Sequence, residues 1–338
     1  MNDDRSFLGT LIGDGRALLE LVALVLIGSG AFALFQAATG HFLPHDTAYL
    51  GMTSQQLCSL HGCRIVHFMM HDRVSFGGVL IAIALMYLWL IEFPMRRGEA
   101  WAWWAIVISG VAGFLSFLTY LGYGYLDTWH GVSTLALLPL YVWGLARTWK
   151  LLPGGRTSRP PTVAADETSA LHAVPARGWR VLLTPGEGMS MGRALLLLAT
   201  LGIVGAGLTI MTVGMTTVFV PQDIEYMGLD AAQMRAINAN LIPLIAHDRA
   251  GFGGGLASCG LAMLVAVWCA PMSKSLWQAL FLAGIAGFAT AIGIHPVIGY
   301  TSISHLAPAV AGSVMFFIGL MIRTWKPRLS ATPATRSA

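Results

Sequence analysis

Charge is what this sequence has least of. Of 338 residues only 11% are Asp, Glu, Lys or Arg, while 56% are hydrophobic. A soluble domain of this length carries roughly a quarter charged residues, so the composition excludes that class and leaves an integral membrane protein. The net charge of +4 does not point to nucleic acid, because the basic residues sit mostly at the ends of apolar runs, where membrane topology uses them. A cleavable leader is not apparent either. "MNDDRSFLGT" is acidic and polar, and the first apolar run is long enough to stay as a span. No span interior carries a charged pair, and no Pro/Gly break recurs at matched mid-span positions. Both absences count against a transporter.

What is present is a series of eight apolar stretches, at about 17–39, 72–92, 101–123, 130–149, 193–218, 248–270, 276–296 and 304–323. Each suits a membrane-spanning helix of about 20 residues. The expected fold is therefore all-α, with eight transmembrane helices. With both termini inside, sixteen of the twenty Lys and Arg residues are cytoplasmic, which the positive-inside rule favours. This orientation predicts a multi-pass protein of the plasma membrane.

The two halves of the chain match. "FLPHDTAYLGM" (42–52) parallels "FVPQDIEYMGL" (219–229), and "HDRVSFGG" (71–78) parallels "HDRAGFGG" (247–254). "GYLDTWH" (124–130) parallels "GYTSISH" (299–305), and "RTWK" closes both halves. The expected organisation is an N-terminal four-helix repeat over 1–150, a cytoplasmic Pro/Gly/Ser-rich linker over 151–192, a C-terminal four-helix repeat over 193–326 and a tail over 327–338. Four spans per repeat give both halves the same orientation, as two tandem bundles side by side.

Of the ten histidines, two pairs survive the duplication: His71 with His247, and His130 with His305. All four open an even-numbered span at its outer end. In an up-down bundle those helices are diagonal neighbours, so His71 would face His130, and His247 would face His305. Two imidazoles opposed across an apolar interior suit the axial ligands of a heme. Arg73 and Arg249 would then pair with its propionates, and Asp72 and Asp248 would orient an imidazole or neutralise the arginine. Gly77, Gly78, Gly253 and Gly254 would let a flat macrocycle approach the backbone. Two other readings stand beside this one. His, Asp and Arg at a helix start also serve as interfacial anchors and caps. The His67–His71 pair, four residues apart, also suits one chelated metal. Cys58 and Cys63 share the first outer loop, where an oxidising compartment would join them as a disulfide; two free thiols is the alternative. Cys259 and Cys269 look like apolar packers.

This layout, with a histidine at the outer end of each even-numbered span and a cysteine pair in the first outer loop, resembles the heme A synthase family. The resemblance implies a heme-dependent oxidoreductase with one or two heme b groups, oxidising a heme methyl group or a related substrate at the outer face. It assigns His247 and His305 to a cofactor heme and His71 and His130 to the substrate side, with Cys58 and Cys63 as the loop pair. The family's first motif is typically Glu-x-x-His-Arg. Here Phe68 stands three residues before His71, and an aspartate separates His from Arg. His67 is the candidate catalytic, proton-handling group in place of that glutamate. The alternative is a diheme b-type cytochrome that carries electrons, for example from quinol. The expected partners are the lipid bilayer, heme or a quinol-type small molecule and an electron-donor protein, with no nucleic acid.

Overall fold

The computed structural model describes residues 12–122, 125, 128–152 and 179–322. Most of the linker and the whole C-terminal tail expected from the sequence lie outside the described residues. Among those described there are twelve α-helices and no strand. The first repeat holds α1 (Arg16–Thr39), α2 (Pro44–Leu50), α3 (Ser54–His61), α4 (Arg64–Glu92), α5 (Ala100–Ser116) and α6 (Thr128–Thr148). The second holds α7 (Met191–Met215), α8 (Pro221–Met227), α9 (Ala231–Ile237), α10 (Leu241–Cys269), α11 (Lys274–Ile298) and α12 (Ile303–Ile322) in the same order.

Seven of these helices are long and apolar enough to cross a bilayer: α1, α4, α5, α7, α10, α11 and α12. The multi-pass, all-α membrane character follows from them. The remaining long helix, α6, has 21 residues, but His130, Pro139 and three threonines dilute its leucines. The outer helices present exposed Leu24, Phe35, Leu135 and Val297 to their surroundings, which suits contact with lipid chains.

The helix ends are written in the sequence. Pro44 and Pro221 sit at the first helical position of α2 and α8, where a missing N–H costs nothing. Asp46 and Asp223 turn back on the same helices to accept from the N–H groups of Leu43 and Val220. Gly51 and Gly228 end them with φ of 66° and 69°, a left-handed conformation that glycine adopts without a Cβ penalty.

α4 and α10 form the centre. In their most apolar stretches 67% and 72% of residues are buried, against 33% or less in the other five candidate spans. They begin earlier than the apolar runs suggested. Ile65, Val66, Phe68, Met69 and Met70 are all buried and continue α4 toward its N-terminus, and Leu241 to Ala246 do the same for α10. His71 and His247 therefore lie inside these helices, two turns or so from their starts.

The repeats interleave. α4 and α10 pack on each other; α1 lies on α4, and α7 on α10, as expected within a repeat. The third long helix of each half crosses over: α5 packs along α10, and α11 along α4. The expected pair of self-contained bundles is thus replaced by two clusters that each borrow a helix. Small residues permit these crossings. A Cβ on Gly77 would collide with α1 at Gly30, and one on Gly253 with α7 at Gly207 and Met211. Gly78 abuts Thr290 of α11, and Gly254 abuts Ser116 of α5.

Candidate heme and metal centre

The site is built at one end of α4 and α10 by side chains that the duplication matches. Asp46 and Asp223 are fully buried. The Tyr125 hydroxyl donates to Asp46 Oδ1 at 2.6 Å, and the Tyr300 hydroxyl donates to Asp223 Oδ1 at 2.7 Å. Arg73 pairs with Asp46 at 2.8 Å, and Arg249 makes the matching pair with Asp223. Arg73 also crosses the repeat boundary, donating from Nε to Asp248 Oδ2 at 2.9 Å. Both guanidiniums are therefore held by carboxylates of the chain itself, where the sequence reading had reserved them for heme propionates. Asp46 and Asp223 are the residues that reading missed; their repetition was the only signal.

The short helices outside the spans clasp each other by the same symmetry. The Asn238 and Asn240 side chains donate to the carbonyls of Leu50 and Tyr49, each at 2.7 Å. In the other direction His61 Nε2 donates to Met227 O at 3.0 Å and Arg64 to Tyr226 O at 3.2 Å. Burial raises the Tyr226 hydroxyl above its ordinary pKa, and burial, together with Asp223, does the same for Tyr300. Both stay neutral donors at physiological pH. Cys58 and Cys63, in and just after α3, form a disulfide, while Cys259 and Cys269 are buried free thiols.

Because the repeats interleave, the histidines pair across halves. His130 meets His247 with ring centroids 5.7 Å apart and planes at 89°. Phe117 and Phe76 flank His130 at 5.4 and 6.0 Å, and Tyr125 lies 5.1 Å from His247. His130, His247, Phe76 and Phe117 line a mainly apolar, partly open cavity of about 750 Å³ between α1, α4, α5, α6 and α10. The glycines that line it are Gly110, Gly113, Gly251 and Gly255. Gly77, Gly78, Gly253 and Gly254 are instead occupied by neighbouring helices.

The equivalent pair, His71 and His305, has centroids 6.1 Å apart. A third ring joins it: His295 lies 4.4 Å from His71 and 5.2 Å from His305. One ligand atom from each of the three falls within 4.8 Å of the others. The first repeat has no histidine between His71 and His130, so nothing in the duplication flagged His295. His67 joins neither cluster; its side chain is exposed, although Phe68 and His71 beside it are buried.

Comparison with known proteins gives no match: no family model fits the chain, and neither a curated protein nor a solved structure resembles it.

Proposed function

We propose that this chain is a heme-binding oxidoreductase of the membrane, with one heme b held between His130 and His247. The carrying observation is the 5.7 Å separation of those rings, both of which lie on the wall of the 750 Å³ cavity. Two imidazoles that share one metal through bonds of roughly 2.0 Å place their centroids about 6 Å apart. The cavity also falls within the roughly 300–1,000 Å³ typical of small-molecule and cofactor sites. Eight spans with both termini inside, α6 being the eighth, would put this site toward the outer face of the plasma membrane.

When bound, heme supplies one-electron iron chemistry. The chain's own residues set its surroundings. His130 and His247 come from different repeats, so ligation also ties the halves together. Phe76 and Phe117, packed beside His130, would shield a bound heme from water. Asp72, Arg73 and Asp248 border the cavity, and the Arg73–Asp248 ion pair places fixed charge beside it. With His130 and His247 both holding the iron, the protein itself would supply its ligands there. That favours electron transfer at this heme, and it keeps the b-type cytochrome, fed by quinol or a donor protein, as the second reading. Oxidation of a heme methyl group, as the family resemblance implies, would need its substrate at a separate place.

A pyridine hemochrome assay on the detergent-purified protein tests the proposal. One heme b per chain is expected; none after heme-sufficient expression refutes it. Formation of a formyl heme in cells supplied with the precursor heme separates the synthase reading from an electron carrier, which would show only reversible reduction by quinol.

A further inference from the structure

We infer that His71, His295 and His305 bind a single divalent transition-metal ion of the zinc–copper type. This site is distinct from the heme cavity and does not depend on that reading. The three rings come from α4, α11 and α12, and their ligand atoms lie within 4.8 Å of one another. His71 is 4% exposed and His295 3%. The ring nitrogens of His295 have no well-formed hydrogen bond, the Ala291 carbonyl on the same helix being their one polar neighbour, and one oxygen of buried Asp72, Oδ2, lacks a partner. Burying polar groups without partners is costly, and a ligand that satisfies them relieves that cost. A cation held by the imidazoles satisfies the ring nitrogen and offsets the carboxylate.

The surrounding groups fix the histidines for that role. His71 Nδ1 sits 3.1 Å from Asp72 Oδ1, within ion-pair distance but outside hydrogen-bond geometry. His305 Nδ1 lies 3.1 Å from the Tyr300 oxygen, whose proton goes to Asp223. The Tyr300 oxygen therefore accepts from His305 Nδ1–H, which leaves Nε2 as the ligand atom. Carboxylate and hydroxyl partners of this kind orient metal-bound imidazoles and set their tautomer.

The geometry points to an ion rather than a second heme. His295 is nearly equidistant from the other two rings, at 4.4 and 5.2 Å. It thus occupies the plane midway between them, where a macrocycle ligated by His71 and His305 would have to lie. An all-imidazole set selects zinc, copper, cobalt or nickel over calcium or magnesium. Three protein ligands leave a fourth tetrahedral position open for water or a small substrate. The two pseudo-equivalent places have therefore diverged: a two-histidine cavity on one side, a three-histidine ion site on the other.

The test is Co²⁺ titration of the full-length, chelator-stripped protein in detergent, read by visible d–d absorption and elemental analysis. One Co²⁺ per chain, displaced by Zn²⁺, is expected. His295→Phe, which keeps a ring of similar volume, should weaken Co²⁺ binding more than about 100-fold while heme content stays the same. Absence of bound Co²⁺ in the wild type, or unchanged binding in His295→Phe, overturns the inference. Two hemes per chain, one of them lost in His71→Ala, also overturns it. If His295→Phe does not fold, the wild-type stoichiometry decides. Heme content, measured on the same samples, scores the heme proposal separately.

Discussion

Arg73 of the first repeat donates to Asp248 of the second at 2.9 Å, and its other side holds Asp46 at 2.8 Å. One guanidinium thus joins two carboxylates from opposite halves, at a position where Asp46 is 0% exposed. Removing the cation leaves both acids buried without a counter-charge. Arg73→Leu should lower stability by about 3–5 kcal/mol. Arg73→Leu combined with Asp248→Leu should recover part of that loss, because one orphaned charge disappears with it. Unfolding of the two variants in detergent measures both; equal losses would place the pair outside the stabilising network.

The helix crossings give a second expectation. A Cβ on Gly207 would overlap the backbone of Ala257 in α10, whereas Gly202, on the same helix, has nothing within 4 Å. Gly207→Ala should therefore cost about 1–3 kcal/mol through forced separation of α7 from α10. Gly202→Ala should be neutral or stabilise by up to about 1 kcal/mol, since glycine is the poorer helix former. Melting temperatures of the two single variants check this.

The Cys58–Cys63 disulfide closes a loop with a sequence separation of 5. Thiol labelling of the unfolded, unreduced protein should find two reactive cysteines, Cys259 and Cys269, and four after reduction. Closing a loop this short should stabilise the fold by about 2 kcal/mol, so Cys58→Ser/Cys63→Ser should unfold earlier by that margin. Four reactive thiols without reductant would contradict the bond.

Much of the fold was legible in the sequence because hydrophobic run length and repetition are local signals. The all-α membrane character, the matching of 42–52 with 219–229, and the cysteine pair all belong to that kind. Which helices touch is not local. The exchange of α5 and α11 between halves rests on surface shape at Gly78, Gly254, Ser116 and Thr290, which no periodicity reports. It changed the expected His71–His130 and His247–His305 partners to His130–His247 and His71–His305. His295 was invisible because the duplication served as the filter, and His295 has no counterpart. Arg73 and Arg249 were assigned to an external anion because their internal partners, Asp46 and Asp223, lie 27 and 26 residues away in sequence.

The central claim is that His130 and His247 share one heme. The most direct measurement is the heme-to-protein ratio of His130→Ala, His247→Ala and His71→Ala, purified alongside the wild type and read by pyridine hemochrome. The expected result is loss of the heme in both His130→Ala and His247→Ala, with full retention in His71→Ala. Heme retained in full by His130→Ala and His247→Ala, or lost in His71→Ala alone, would contradict it.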